Sequence, residues 1–417
     1  SSQLINAGHP DSLDSDGTRA DIGAYPHLNS YSGPTWYISE SGNDTTATGA
    51  GGDPFRSIQA GINFSSDADS VTVAAGTYVE NIDFRGRNIK VVGENQDTTI
   101  IDGNQSGSVV IFENGETAAA MLSGFTITNG GDVNSGGGIR IKNNSNPNLN
   151  NLIVQNNTAN NGGGISLESS NPILSNVKIS GNTASAGRGG GLRCISSSDP
   201  SLVNVLISGN TSSQEGGGVY NNASDPSFVN VTITGNLSSP TEGNGIFCMN
   251  NSNPNLVNTI LWGNGPDGLE FASYDGSNSI TIFYSNIEGG QDSIVTNDNG
   301  TIIWGDGNID VDPMFVDTAN GNYHLLASSQ LINAGHPDST DADGTITDIG
   351  TYPYLNSYSG PTWYISESGN DTTATGASGN PFALIQAGIN FSSDADSVTV
   401  AAGTFVENIN FRGRNIK

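Results

Sequence analysis

The chain has 417 residues, of which 41 are acidic and 13 are basic, so its formal net charge at pH 7 is −28. A negative charge of this size argues against nucleic acid or an anionic membrane surface as a partner, and it favours solubility and cation binding. With 34% hydrophobic residues and 56 glycines, the composition is typical of either a disordered chain or a turn-rich β protein. No apolar run approaches the roughly 18 residues that a membrane span needs.

The segment 1–90 recurs almost unchanged as 328–417, with twelve substitutions, so equivalent residue numbers differ by 327. An imperfect repeat within one polypeptide is typical of a tandem array. The six residues 28–33 reappear as 355–360 and are too few for a flexible linker, so they predict a stiff joint. The repeat predicts four parts: the C-terminal end of a preceding repeat domain at 1–33, a complete domain at 34–354, a connector at 355–360, and the N-terminal cap of the next repeat domain at 361–417.

Each repeat begins with a predicted helix that acts as a lid. In Asp53-Pro54-Phe55 the aspartate suits an N-cap and the proline suits the first turn, and Phe55, Ile58 and Ile62 supply an apolar stripe. A lid is expected because exposed strand edges invite aggregation. We expect residues 1–33 to close the end of the preceding domain and to dock against the 34–64 lid, with the second copy repeating this junction.

A shorter repeat runs through the middle of the chain. The apolar residues that follow each glycine run recur at intervals of 26, 27, 27 and 27 in residue number, at Ile139, Ile165, Leu192, Val219 and Ile246. Short strands at this spacing bury their apolar side chains only if successive coils stack. The pattern predicts an all-β fold, a right-handed parallel β-helix with three short strands per coil of about 27 residues, arranged as tandem domains. Dividing 327 by 27 predicts about twelve coils per repeat.

Two columns of asparagines mark predicted corners of the coil. The alternation of apolar residues reverses its phase at the first set, and asparagine tolerates the left-handed conformation that such a corner needs. We expect this first column to form an internal amide ladder and the second to mark the next corner. The first column is Asn151, Asn176, Asn204, Asn230 and Asn258, and the second is Asn157, Asn182, Asn210, Asn236 and Asn264. Cys194 and Cys248 are predicted to be small core residues two coils apart.

Several motifs resemble those of bacterial β-helical surface proteins. The run Ile179-Ser180-Gly181-Asn182, followed by Gly189-Gly190-Gly191-Leu192, is similar to the repeats of chlamydial polymorphic outer-membrane adhesins, with Ile in place of Phe and Gly in place of Ala. The opening from Trp36 to Asp44 and the ending from Asp312 to Asp317 look like the caps of pectin-lyase-like surface proteins. The resemblance implies a pectin-lyase-like β-helix, a superfamily of lyases, hydrolases and non-catalytic adhesins.

The outward positions that follow the glycine runs are Arg140, Ser166, Arg193, Tyr220 and Phe247. No acid lies among them, whereas glycoside chemistry needs two nearby carboxylates, so we predict no enzymatic role. We call four of these outward residues, Arg140, Arg193, Tyr220 and Phe247, the surface stripe. The stripe could bind surface glycans through stacking and cation–π contacts, or it could be covered by a loop or by a neighbouring filament. A second outward column, Ile153, Leu206 and Ile260, is apolar and indicates lateral contact or loop cover.

Closely spaced aspartates at the end of each copy form the candidate metal site. Asp residues with a glycine at a sharp turn suit Ca²⁺, the only cofactor that the sequence suggests, although they also form ordinary turns. The candidate ligands are Asp14, Asp16 and Asp21 in the first copy and Asp341, Asp343 and Asp348 in the second.

These features predict a structural repeat of a giant, secreted bacterial filament, stalk or adhesin at the cell surface, with β-helix domains stacked head to tail. Its partners would be neighbouring repeat domains, neighbouring filaments and surface glycans. The alternative is a tandem carbohydrate-active enzyme, either a polysaccharide lyase or a glycoside hydrolase, or a polysaccharide-binding module. Paired carboxylates in one groove would favour the alternative.

Overall fold

The computed structural model describes residues 2, 4–9, 11–239, 242–274 and 276–417. Residues 1, 3 and 10, which belong to the segment predicted to end a preceding domain, lie outside the described residues. The N-terminal elements are β1 Thr35–Ile38, α1 Ile58–Phe64, β2 Ser70–Val73, β3 Gly76–Val79, β4 Ile82–Asp83, β5 Lys90–Gly93, β6 Thr99–Asp102 and β7 Val110–Phe112.

The central coils consist of strands that recur in the order predicted from the glycine runs and asparagine corners. They are β8 Met121–Thr128, β9 Ile139–Lys142, β10 Asn148–Gln155, β11 Thr158–Ala159, β12 Ile165–Glu168, β13 Ile173–Ser180, β14 Thr183–Ala184, β15 Leu192–Ile195, β16 Ser201–Ser208, β17 Thr211–Ser212, β18 Val219–Asn222, β19 Ser227–Val229, β20 Thr232–Thr234, β21 Leu237–Ser238, β22 Ile246–Met249, β23 Asn255–Val257 and β24 Ile260–Trp262.

The C-terminal elements complete the last coils and begin the second copy of the cap. They are β25 Leu269–Phe271, β26 Asn278–Phe283, β27 Asn286–Ile287, a 3-10 helix at Gln291–Ser293, β28 Gly300–Trp304, β29 Phe315–Asp317, a 3-10 helix at Thr318–Asn320, β30 Asn322–Leu325, β31 Thr362–Ile365, α2 Ile385–Phe391 and β32 Ser397–Val400.

The strands from β1 to β28 stack in parallel into a right-handed β-helix of about eight turns, which confirms the predicted fold class. Strands β29 and β30 form a separate antiparallel pair, and β31 and β32 form a separate parallel one. One face follows the order β1-β2-β5-β8-β10-β13-β16-β19-β23-β26-β28, and a second follows β4-β7-β9-β12-β15-β18-β22-β25. A third, of very short strands, follows β11-β14-β17-β21. The first face has eleven strands and the second has eight, so about eight turns are complete and the prediction of about twelve coils was wrong. Much of each long repeat forms the cap and the C-terminal segment rather than coils.

The apolar residues after the glycine runs form one continuous internal column. Ile139, Ile165, Leu192, Val219 and Ile246 pair in register and are fully buried. The glycines before them allow the coils to approach closely, since a Cβ at Gly164 would lie 2.6 Å from the carbonyl oxygen of Gly191. Cys194 and Cys248 are free, buried and separated by one intervening strand, as expected for core residues.

The first asparagine column forms the predicted corners and an amide ladder, but most of this ladder lies at the surface rather than inside. Asn204, Asn230 and Asn258 each donate from Nδ2 to the Oδ1 of the preceding member, at 3.3, 3.2 and 3.0 Å. All five residues have a positive φ, between 50° and 55°. The left-handed corner turns the asparagine outward so that the apolar residues on both sides of it can face the core. Asn151 and Asn176 are therefore exposed, and only Asn258, at the far end of the column, is buried.

The internal ladder is instead the second column, Asn157, Asn182, Asn210, Asn236 and Asn264, whose members are at most 1% exposed. Within it, Asn182 donates from Nδ2 to Asn210 Oδ1 at 2.9 Å and to the carbonyl oxygen of Val154 at 2.9 Å. The backbone N–H of Asn182 donates to the same Asn210 Oδ1 at 3.0 Å. Each amide thus satisfies polar groups of its own coil and of the neighbouring coils, which a core position requires.

The lid helix starts later than predicted. Helix α1 begins at Ile58 with Ser57 as its N-cap, whereas Phe55 forms backbone hydrogen bonds to Tyr37 and Ser39 beside β1. Those strand-like bonds keep residues 53–55 out of the helix. The carboxylate of Glu80 accepts hydrogen bonds from the backbone N–H groups of Ile58 and Gln59, so it satisfies helix donors that would otherwise have no partner.

Replacement of Asn210 by alanine should destabilise the β-helix by about 2–5 kcal/mol, because it leaves buried amide and carbonyl groups of two coils without partners. The free energy of unfolding can be measured by urea titration followed by circular dichroism. Asn176→Gly, which removes an exposed amide and keeps the positive φ, is the matched control and should change stability by less than about 1 kcal/mol. Equal losses in the two variants would contradict the assignment of the internal ladder.

Candidate functional site

The predicted surface stripe forms a single column on the face that contains β9 and β12. Ser166 pairs with Arg140 and Arg193, and the column continues through Tyr220 and Phe247. Tyr220 and Phe247 are 1% and 2% exposed, and their rings stack in parallel with centroids 6.0 Å apart. A sugar cannot stack on either aromatic side chain in this conformation.

Arg188, in a corner loop, covers the Tyr220 part of this stripe. Arg188 forms a two-pronged ion pair with Glu215, with Nε to Oε2 at 2.6 Å and Nη2 to Oε1 at 3.2 Å. The guanidinium carbon of Arg188 also lies 5.4 Å from the ring centroid of Tyr220. Of the two covers predicted from the sequence, the structure therefore contains the loop cover, and Glu215 is neutralised by Arg188.

The arginines of the stripe remain partly exposed. Arg140 lies 3.2 Å from the carboxylate of Glu113, and Lys142 lies 3.1 Å from the same oxygen. Burial lowers the pKa of the Arg193 guanidinium. This end of the stripe is consequently an ion-paired surface rather than an aromatic platform.

Sequence reasoning missed the two acids at the ends of this column. Asp83 precedes Arg140 through Ile111, and Glu270 was missed because the coil after Phe247 is shorter than the preceding ones. Glu270 pairs directly with Phe247 and continues the stripe. It accepts hydrogen bonds from the backbone N–H of Gly243 and from the Asn297 amide. Burial, with smaller contributions from the charges of Glu242 and Asp267, raises the pKa of Glu270. Aligning the inward apolar residues of successive coils, instead of assuming a constant coil length, would have found Glu270.

The candidate Ca²⁺ ligands bind backbone N–H groups instead of converging on one point. Asp14 accepts from the N–H of Asp21 at 2.9 Å, and Asp16 accepts from Thr18 and from Asn29. Asp21 accepts from the N–H groups of Asn6 and His27. These carboxylates hold a folded loop together through its backbone N–H groups, and Ca²⁺ binding by them stays a prediction.

The second copy repeats this arrangement at the equivalent positions. Asp341 accepts from Asp348, Asp343 accepts from Thr345 and Asn356, and Asp348 accepts from Asn333 and Tyr354. Over the described residues, no group of three or more His, Cys, Asp or Glu side chains could hold a metal ion. The described part of the chain also has no helix long and apolar enough to cross a membrane.

The C-terminal part of the long repeat contacts the side of the β-helix rather than closing its end. We call residues 331–354 the return segment and the outward column Leu206, Thr232 and Ile260 the flank. Gly350 N donates to the carbonyl oxygen of Asn258 at 2.9 Å, and Thr351 N donates to Thr232 Oγ1 at 3.0 Å. The flank residues are 1% exposed, so the return segment is the loop cover predicted for Leu206 and Ile260, whereas Ile153 stays half-buried.

The return segment also binds the second lid. Asn390 of α2 donates from Nδ2 to the carbonyl oxygen of Ser329 at 2.7 Å, just before this segment. Within the segment, the backbone oxygen of Ile332 accepts from Arg412 Nη1 at 2.6 Å. A shared apolar cluster contains Ile260 of the flank, Ile349 of the return segment and Trp363 of β31. One segment therefore contacts both the β-helix and the following cap.

The first copy makes equivalent lid contacts. Asn63 Nδ2 donates to the carbonyl oxygen of Ser2 at 2.7 Å, and Arg85 Nη1 donates to that of Ile5 at 3.2 Å. Asn29 Nδ2 donates to Thr48 O, as Asn356 does to Thr375 O. The two lid contacts thus use equivalent residues of the two copies.

An open groove of about 850 Å³ lies between the return segment and the second cap. Its wall includes Asn322, His324, Tyr354 and the run 372–375, and its single acidic lining residue is Asp343. Both oxygens of that carboxylate already accept hydrogen bonds. The groove therefore contains no pair of carboxylates for glycoside chemistry.

Asn substitution of Asp348 should flatten the pH dependence of stability. Burial raises the pKa of the Asp348 carboxyl to about 7, above its value of about 3.9 in the unfolded chain. The proton therefore binds the folded state more tightly, and this stabilisation is complete below about pH 4 and is lost as the pH rises through about 7. When the pH rises from about 5 to 8, the free energy of unfolding should fall by about 1–3 kcal/mol more for the wild type than for Asp348→Asn. Urea titrations at each pH measure this difference.

Asp21→Asn is the matched control for this measurement, because the Asp21 carboxylate has equivalent partners but is partly exposed. A change in the pH profile that occurs in both variants would come from the loss of a carboxylate acceptor rather than from the buried position of Asp348. Identical pH profiles for the wild type and Asp348→Asn would show that the proton does not bind at Asp348.

The fold is similar to that of solved carbohydrate-active enzymes. Pectate lyase Pel9A is 14% identical, with a TM-score of 0.51, and the match covers 76% of this chain and 96% of that one. The GH136 lacto-N-biosidase from Eubacterium ramulus is 10% identical, with a TM-score of 0.32, and the match covers 67% of this chain and 68% of that one. At these identities the similarity to Pel9A shows the fold alone, and none of the curated proteins compared matches the chain.

A family model extends the comparison to the sequence. The model described as "Right handed beta helix region" matches residues 56–269, which is just over half of the chain and contains most of the stacked coils. The chain therefore belongs to the right-handed β-helix family.

Proposed function

We propose that this chain is a structural repeat of an extracellular bacterial filament or stalk, in which β-helix domains are joined by stiff junctions. The observation that carries the proposal is the return segment, which bonds to the flank of one β-helix and to the lid of the next repeat. The long sequence repeat supports the same arrangement at each junction. The similarity to adhesin repeats stays a prediction, as do the filament, the cell-surface location and the neighbouring filaments.

The spacing of the contacts supports a stiff junction. Thr351 Oγ1 donates to the carbonyl oxygen of Val205 at 2.7 Å, and the N–H of His336 donates to Asn258 Oδ1 at 2.7 Å. The His336 ring also meets the ring of Tyr284 with centroids 4.8 Å apart. Together with the bond from Thr351 N to Thr232, these contacts lie on four successive coils and span about 14 Å along the helix axis. Attachment over that length opposes bending more than a single point of contact would.

The chemistry of the described surface favours a structural role over a carbohydrate-active one. Glu215 is paired with Arg188, the aromatic stripe residues are buried, and the open groove has one acidic lining residue. Glu270 and Asp83 are the exceptions, at opposite ends of this column. The two oxygens of Glu270 accept from Gly243 and Asn297, and Asp83 Oδ1 accepts from the N–H of Arg85. Surface glycans remain candidate partners of the partly exposed arginines, Arg140 and Arg193.

Spin-label distances can test the stiffness of the junction. Nitroxide labels on Glu168→Cys and Ser378→Cys, both at exposed positions, report the position of the second cap relative to the coils. Cys194 and Cys248 are buried and should not react. Pulsed electron spin resonance should give one narrow distance distribution for the wild-type junction. A broad distribution would show flexibly linked domains and would remove the main support for the proposal.

Gly350→Trp should broaden that distribution, because a Cβ at Gly350 would lie 2.5 Å from Ile260 Cδ1. Gly23→Trp is the matched control. Both glycines have a positive φ, but nothing lies within 4 Å of a Cβ at Gly23, so this variant should keep the narrow distribution.

The purified chain should release neither unsaturated products nor new reducing ends from polygalacturonate or alginate, with or without Ca²⁺. This expectation follows from the lack of a free pair of carboxylates in the stripe and the groove. Product formation above the level of a heat-denatured sample would favour the carbohydrate-active alternative instead.

A further inference from the structure

The open groove between the return segment and the second cap, which we call the junction groove, is complete once in this chain. One wall includes Asn322 and His324 of β30, and the opposite wall includes Thr372 and Thr373 of the second cap. The first copy repeats the cap wall within residues 15–48, whereas counterparts of Asn322 and His324 lie outside this sequence. The chain therefore contains one complete groove and one isolated wall, which can be compared directly.

The β-helix that follows a cap does not fill this groove. In the first copy a whole β-helix follows the cap, and yet Leu28 is 51% exposed and Thr45 and Thr46 are exposed. The counterpart of Leu28 in the junction groove, Leu355, is 52% exposed, and residues 28–50 are identical to 355–377. The second copy includes the repeat before the junction and the first copy includes the repeat after it, and neither covers the cap wall.

The charge of the junction groove disfavours an anionic ligand. Among the described residues that line it there is no Lys or Arg, and the carboxylate of Asp343 already accepts hydrogen bonds from the N–H groups of Thr345 and Asn356 at 3.1 and 2.8 Å. Partial burial lowers the pKa of the His324 imidazole, so this ring is neutral at pH 7. A ligand anion would find no cation to pair with in a chain whose net charge is −28.

The rim of the groove has hydroxyl groups without partners. The side chains of Ser357, Ser359, Thr372 and Thr373 are exposed, and their hydroxyls form no hydrogen bond with any described residue. The backbone N–H groups of the two threonines donate to Asn370 Oδ1 at 2.7 and 3.1 Å, which fixes their loop. Each hydroxyl can both donate and accept a hydrogen bond, as the hydroxyl groups of a sugar also can.

Two rings give the same groove a flat apolar surface. The His324 ring stacks on the Tyr352 ring, with centroids 4.6 Å apart and an angle of 13° between the planes, and His324 nevertheless stays exposed. Tyr354 donates from its hydroxyl to the carbonyl oxygen of Ala374 at 2.6 Å, which holds its ring against the cap. Rings with an apolar body and a polar edge suit a ligand that has both kinds of surface, such as a sugar ring.

We propose that the junction groove is a binding site for a neutral carbohydrate chain, with sugar hydroxyls at the threonine and serine rim and a sugar ring on His324. Its volume of about 850 Å³ lies within the usual range for ligand pockets. The groove shares no residue with the surface stripe. The inference goes beyond the proposed function, because both walls come from one chain and binding requires no assembly.

Isothermal titration calorimetry of the full chain tests this site. The probes are the neutral hexasaccharides of glucose, xylose, mannose and galactose, with hexagalacturonate as the charged comparison. At least one neutral probe should bind, with one site per chain, because only the second copy has both walls. The groove variants described next should weaken the binding of that neutral probe and should not affect any binding of hexagalacturonate.

The double variant Thr372→Val, Thr373→Val removes two rim hydroxyls with little change in side-chain shape, and it should weaken the binding of the neutral probe by about tenfold. Thr45→Val, Thr46→Val is the matched control, because it makes the same change in the isolated wall of the first copy. This control should keep the wild-type affinity. Circular dichroism of each variant verifies that the β-helix is folded.

Variants of His324 separate stacking from the hydrogen bonds of the rim. His324→Ala removes the exposed ring and should weaken binding, whereas His324→Phe keeps a ring at this position and should bind the neutral probe more tightly than His324→Ala does. Equal affinities of these two variants would show that no sugar ring lies on residue 324.

Three results would overturn the inference: no binding of any neutral probe at its solubility limit, two equivalent sites per chain, or equal losses of affinity in the threonine double variant and its first-copy control. None of these results depends on the stiffness of the junction. A narrow spin-label distribution without carbohydrate binding would leave the structural repeat intact and would reject only the site in the groove.

Discussion

Parallel hydrogen bonding between successive coils is the constraint on which the rest of the structure depends. A single coil cannot bury its own apolar side chains, so each inward residue is covered only by the same position in the coils before and after it. This requirement explains why a run of glycines precedes the inward apolar residue in successive coils. At Gly164 the neighbouring coil is so close that a Cβ would meet the carbonyl oxygen of Gly191.

The same constraint places an unusual amount of polar chemistry inside the protein. Every coil must turn several times, and each corner interrupts the strand hydrogen bonds. The buried column that includes Asn182 and Asn210 solves this problem, because each amide bonds to the next amide and to nearby backbone groups. A hydrophobic residue at such a corner would leave buried backbone groups without hydrogen-bond partners. The free energy lost in this way is larger than that of burying a fully hydrogen-bonded amide.

Acidic residues outside the coils serve a comparable purpose. The aspartates of the return segment accept hydrogen bonds from backbone N–H groups and stabilise an irregular loop without a regular strand partner. Asp348 is the most buried of the three aspartates Asp341, Asp343 and Asp348, and burial raises the pKa of its carboxyl to about 7. The loop that these carboxylates stabilise is the one that lies on the flank. The negative charge of the sequence suggested cation binding. In the return segment, the aspartates that carry part of this charge accept backbone hydrogen bonds and so stabilise the junction.

The coil, its three strands, the buried cysteines and the positive-φ corners could be predicted from the sequence, because they follow from a local spacing that recurs from coil to coil. The long repeat likewise predicted that residues 1–33 and the lid belong together. Sequence spacing could not show which asparagine column faces inward, since that depends on the direction in which the chain turns at Asn176 and Asn182. It also could not place Glu270, because the coil shortens there. Only the tertiary structure brought Thr351 to Val205, two residues far apart in the chain, and decided that the return segment covers the flank. Contacts of that kind depend on how the chain doubles back in space, and no local periodicity encodes them.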